Sequence, residues 1–115
     1  MAKEIIQLSN QPVAHYDSAT LEINLGNFLD LLANAGTDTV AIHKACLDPN
    51  FFDLKTLIAG EMFQKIANYR KRLIILGDFS AIASQSFKDL IYEANQSGQI
   101  VFAKDWAEAE KLLKK

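Results

Sequence analysis

Apolar side chains return along this chain at two intervals, and the switching between them predicts the fold. Ile5, Ile6 and Leu8 suggest a short first strand. Ser9-Asn10-Gln11-Pro12 is turn chemistry and Val13-Ala14-His15-Tyr16 reads as a second strand, so the two form a hairpin. The step then lengthens. Leu21, Leu25, Phe28, Leu29 and Leu32 recur three and four residues apart, which places them on one helix face. Ser18 or Thr20 can cap that helix and Gly36 can stop it.

Val40-Ala41-Ile42-His43 is short and partly β-branched, a third strand. After Asp48-Pro49-Asn50 the helical interval predicts a long helix from about Phe51 to Arg70, with Leu54, Ile58, Met62 and Ile66 stacked at four-residue spacing. Twenty helical residues would reach about 30 Å. Leu73-Ile74-Ile75-Leu76, followed by Gly77-Asp78, reads as a strand buried on both sheet faces. Ser84 or Ser86 can cap a third helix with Phe87, Leu90, Ile91 and Ala94 inward, ended by Gly98. Ile100-Val101-Phe102 is the fifth strand, and Trp106, Ala109, Leu112 and Leu113 give a closing amphipathic helix. The order ββαβαβαβα predicts an α/β fold: one layered domain over 1–115, with a largely parallel five-stranded sheet flanked by helices.

Composition narrows the setting. Half of the 115 residues are apolar and 23% are charged, the balance of a packed globular chain. A lone cysteine, Cys46, excludes an intramolecular disulfide and fits a reducing compartment. No apolar run approaches the roughly 20 residues of a membrane span, so the expected location is the cytoplasm, away from membranes. The formal charge is −2, and the one dense cationic cluster, Arg70-Lys71-Arg72 with Lys65, suits a helix C-terminus. Nucleic acid is not an expected partner.

Candidate chemistry is sparse. Ligands of parallel sheets gather outside the carboxyl ends of the strands, which here brings forward His43, Lys44, Asp53, Asp78, Ser80 and Lys104. Asp78 leads because Gly77 lets the chain turn sharply beside it. Glu61, Gln64 and Asn68 form a polar stripe along the second helix. Gly60 beside them costs about 1 kcal/mol relative to alanine, which points to close approach by another backbone, within the domain or from a second subunit. His15 and His43 have no metal-ligand spacing to other donors. The chain has no glycine-rich phosphate loop and no nucleophile elbow, so neither cofactor nor metal is expected.

The segment Asn50-Phe51-Phe52-Asp53-Leu54-Lys55-Thr56, with Ala59-Gly60-Glu61, Gln64-Lys65 and Asn68-Tyr69-Arg70, resembles a bacterial family, the domain of unknown function numbered 4180. Gly77-Asp78-Phe79-Ser80, Glu93-Ala94-Asn95 and Gly98 extend the resemblance. It implies no activity. The element order is also similar to STAS (anti-sigma-factor antagonist) domains, which are non-enzymatic regulators switched by a serine at the start of the helix after the third strand. Leu54 stands where that serine would be, and Thr56 is the nearest hydroxyl. These features together predict a non-catalytic binding or regulatory module, self-associating or capturing a protein partner through the face of the second helix or the strand-end rim. The alternative is a small enzyme or metabolite-binding domain with its site near Asp78.

Overall fold

The computed structural model describes residues 3–16, 23–47, 49–53 and 57–113. Its strands are β1 (Lys3–Leu8), β2 (Gln11–Tyr16), β3 (Thr39–His43), β4 (Arg72–Leu76) and β5 (Ile100–Ala103). Its α-helices are α1 (Leu25–Ala33), α2 (Ile58–Asn68), α3 (Gln85–Ser97) and α4 (Trp106–Leu113). The strands lie side by side in chain order. β1 and β2 are antiparallel, whereas the β2–β3, β3–β4 and β4–β5 pairs are parallel, so the sheet is mixed.

Strand order explains the layers. Successive right-handed crossovers that always advance in one direction deposit their helices on one face of the sheet. Phe28, Leu31 and Leu32 of α1, Ala59, Met62 and Ile66 of α2, and Phe87 of α3 accordingly share one core with Ala14, Tyr16, Val40, Ile42, Leu73, Ile75 and Phe102. The alternate strand positions Val13, Ala41, Ile74, Leu76, Val101 and Ala103 form a second core with Ala109 of α4. Leu73 to Leu76 are all buried because β4 sends side chains into both cores, as its unbroken apolar run predicts.

The helices differ from the sequence reading at their starts. Asn24 caps α1: its side chain accepts from the Asn27 N–H at 3.0 Å, and Asn27 reciprocates to the Asn24 N–H at 2.9 Å. Ser18 and Thr20 lie outside the described residues, as does Leu54. The expected twenty-residue helix is instead a 3₁₀ turn, Pro49–Phe52, followed by the eleven-residue α2. Leu57 stands between them with a left-handed backbone, φ 64°, which no α-helix can run through. The shortened helix still buries Ala59, Met62 and Ile66, so the face was read correctly and the length was not. Ser84 and Gly98 cap α3 at its two ends as expected.

β5 is a sheet edge whose outward backbone groups need partners. Asn95 of α3 supplies them. Its side-chain oxygen accepts from the Phe102 N–H at 2.8 Å, and its amide donates to the Phe102 carbonyl at 3.2 Å. Phe102 is 2% exposed, so water cannot replace that amide readily. Replacement of Asn95 by Leu should therefore cost about 1–3 kcal/mol, read as a lower urea midpoint. An unchanged midpoint would show that the edge needs no such clasp.

Candidate functional site

Where β3 and β4 end, their carboxyl termini diverge around a cavity of about 580 Å³, within the range of small-molecule sites. Leu47, Phe52 and Leu76 supply apolar wall, and His43, Lys44 and Asp78 supply polar groups. Phe79 does not fill it. That ring meets Phe52 at a tilt and Phe102 edge-on, with centroids 6.4 and 5.3 Å away, and packs against the helix-side core.

Lys44 organises the rim. Its ammonium donates to the Asp78 carbonyl at 2.7 Å and lies 5.7 Å from the centroids of both the Phe52 and Phe79 rings, a cation–π position. Gly77 permits this. A Cβ added there would stand 2.6 Å from Lys44 Cβ, a clash at the base of the lysine rather than at its mobile end. The Asp78 carboxylate turns back on its own loop and accepts from the Ser80 N–H at 2.9 Å. The Ser80 hydroxyl and that N–H hold the Asp78 carboxyl below its usual value of 3.8, against an opposing effect of desolvation and with a lesser contribution from the Lys44 charge.

The back of the site holds a feature that sequence spacing did not reveal. His15 on β2 and His43 on β3 point to the same sheet face, and their Nε2 atoms are 2.9 Å apart. His15 is 7% exposed. Its Nδ1 lies 3.5 Å from Glu4 Oε1 on β1, and its ring meets the Trp106 ring of α4 edge-on, with centroids 5.0 Å apart. The parallel register pairs His15 with Ala41, which leaves His43 diagonal to it. Two histidines in phase on neighbouring parallel strands were the available signal.

Other candidate residues fall elsewhere. Asp53 and Lys104 are exposed and do not line the cavity. Thr56 lies outside the described residues. Gly60, Glu61, Gln64 and Asn68 are all exposed on α2. The expected close intramolecular approach at Gly60 is absent, since a Cβ built there meets no described atom within 4 Å. No group of three or more metal-binding side chains occurs among the described residues.

Three measurements test this geometry. Gly60→Ala should raise stability by about 1 kcal/mol, read from the denaturation midpoint, because no atom of the described residues opposes the methyl group. Gly77→Ala should lower it by about 1–3 kcal/mol through overpacking against Lys44. The Asp78 carboxyl should titrate below 3.8 by ¹³C NMR, and Ser80→Ala should bring it back up. Because the folded value is depressed, the stability Asp78 contributes is complete above the unfolded value and is lost as pH falls through the folded one.

A family profile, "Domain of unknown function (DUF4180)", matches residues 8–113. No curated protein and no solved structure gives a significant match. Since the profile takes in β2 to β5 and all four α-helices, the chain belongs to the DUF4180 family.

Proposed function

We propose that this domain is a binding module that takes a small, partly apolar molecule at the carboxyl ends of β3 and β4. The cavity carries this reading. It places the Lys44 ammonium, the His43 imidazole and the Asp78 carboxylate on the rim of an apolar recess large enough for a metabolite. A lysine fixed by a carbonyl and two aromatic rings is an arrangement already organised for an incoming polar group, which reduces the cost of ordering on binding. The reading departs from a phosphorylation switch of the STAS kind and keeps the regulatory role: occupancy of the cavity is the signal. No helix among the described residues is long and apolar enough to cross a membrane. The single buried cysteine fits the reducing cytoplasm.

A second surface has its own support. Leu57 is 66% exposed and precedes Gly60, Glu61, Gln64 and Asn68 at helical intervals, with the exposed Tyr69 closing the helix. A glycine retained on an open helix face, beside exposed apolar side chains, suits a contact with a second copy of the chain. Gly60→Ala would then stabilise the monomer yet shift sedimentation equilibrium towards it, whereas stabilisation with no change in association would leave α2 simply solvated.

The cavity is tested by thermal shift, with a panel of small carboxylates, amino acids and phosphorylated metabolites. Ala45 is exposed and lines the recess, so Ala45→Phe can fill it without disturbing either core. A true ligand should raise the wild-type Tm, with about 2.7 kcal/mol of stabilisation at 100 times Kd, and leave Ala45→Phe unmoved. Compounds that shift both proteins equally bind elsewhere, and a panel with no wild-type shift would count against the reading.

A further inference from the structure

The cavity wall ends in a histidine that continues away from it as a hydrogen-bonded chain. His43 lines the cavity, its Nε2 meets His15 Nε2 at 2.9 Å, and His15 Nδ1 faces Glu4 Oε1 at 3.5 Å. Glu4 is largely exposed, with 71% of its side chain open to solvent. The chain thus runs from the recess, through a buried imidazole, to a surface carboxylate.

Hydrogen-bond chemistry limits what this chain can hold. Two Nε2 atoms at that distance share one proton: one ring donates and the other accepts. A single added proton makes one imidazolium and preserves the bond, with Glu4 on the solvent side to balance the charge. A second would set two N–H groups head-on and separate the rings. The pair therefore accepts one proton at a time.

The charge count at the rim gives that proton a consequence. Lys44 is cationic and Asp78, with its carboxyl held low, is anionic, so the two cancel. Among the described residues that line the cavity, His43 supplies the one imidazole, the side-chain type suited to exchange a proton near neutrality. Among the described residues, Glu4 on β1 faces His15, and α4 meets the same ring through Trp106. When the pair gains a proton, the cavity wall gains one positive charge while Leu47, Phe52 and Leu76 stay in place.

Building on the cavity reading above, we infer that the ligand is a small anion with an apolar body, of the carboxylate class, and that its binding is coupled to uptake of one proton by the His15–His43 pair. The anion sits against the Lys44 ammonium and the protonated pair, and its hydrocarbon part lies on Leu47, Phe52 and Leu76. Release follows when the pair gives its proton back through His15 towards Glu4 and solvent.

Benzoate, an anion throughout the neutral range, is a suitable probe, and benzamide is its uncharged counterpart. Both are titrated into the full chain at pH 6 and pH 8, following backbone amide shifts of Ala45 and Gly77. Benzoate should bind about tenfold or more tightly at pH 6, as expected for one linked proton, and benzamide should show no such dependence. His15 and His43 are the only histidines in the chain, so imidazole ¹⁵N spectra report this pair alone and should show a proton gained on adding benzoate at pH 7. His43→Gln should abolish the pH dependence. If that variant is unfolded, the wild-type imidazole spectra decide the matter. Equal benzoate affinity at both pH values, or imidazole signals that do not move, would overturn the proton coupling but leave the cavity reading standing. Equal binding of benzamide would overturn the choice of an anion. Absence of any shift at Ala45 and Gly77 with either probe would overturn both the inference and the cavity on which it rests.

Discussion

The placement of Phe51 is the constraint on which the rest of this structure depends. Its ring is fully buried and meets Phe52, Phe87, Phe63 and Phe102 at centroid distances of 5.0, 5.9, 6.3 and 6.5 Å. Those partners belong to the 3₁₀ turn, α3, α2 and β5, so one side chain ties four elements together. Burying a phenylalanine contributes roughly 1.5–3 kcal/mol, and edge-on ring pairs add about 0.5–1.5 kcal/mol. With Phe79 included, six of the seven phenylalanines join one cluster. The cluster fixes the turn Pro49–Phe52 over the sheet, and the turn gives the cavity its aromatic wall. Lys44 then finds two rings and a carbonyl waiting.

Strand order has a second consequence. Because β2 to β5 advance without reversing, α1, α2 and α3 share one face and leave the other to α4. A doubly wound sheet gains its ligand crevice where the strand order reverses. Among the described residues no such reversal exists. The recess here arises differently: β3 runs directly into the turn Lys44–Cys46, β4 runs into Gly77-Asp78, and the two exits separate above the aromatic cluster. Gly77 sets how closely they approach.

Much of this was legible from the order of residues. The alternating runs gave five strands, four helices and the inward faces of α2 and α3, because burial imposes its period wherever an element has one apolar side. Leu73 to Leu76 identified the inner strand for the same reason. The start of α2 was not legible. Leu57 is a good helix former by propensity, and nothing in that propensity announces its left-handed backbone. Asp78 and Lys44 could be placed at the strand ends, but the meeting of Lys44 with Asp78 and two rings depends on loop paths that have no period. The His15–His43 contact depends on register between strands 28 residues apart in the chain, and no local pattern carries that information.

That histidine pair is also the place where the fold departs most from what packing alone would choose. Around it the second core is made of Val13, Ala41, Ile74, Leu76 and other apolar side chains. Two apolar residues there would avoid the cost of removing imidazoles from water, a cost that hydrogen bonds in a buried site at best offset. Here the bonds are complete, and no buried side-chain nitrogen or oxygen among the described residues lacks a partner. A satisfied polar network inside an apolar layer rigidifies its surroundings, because movement of either ring breaks the bond between them. Trp106 transmits that rigidity to α4, and His43 transmits it to the cavity. The closing helix, the hairpin strand β2 and the wall of the recess therefore meet at one hydrogen-bonded pair on the α4 face of the sheet.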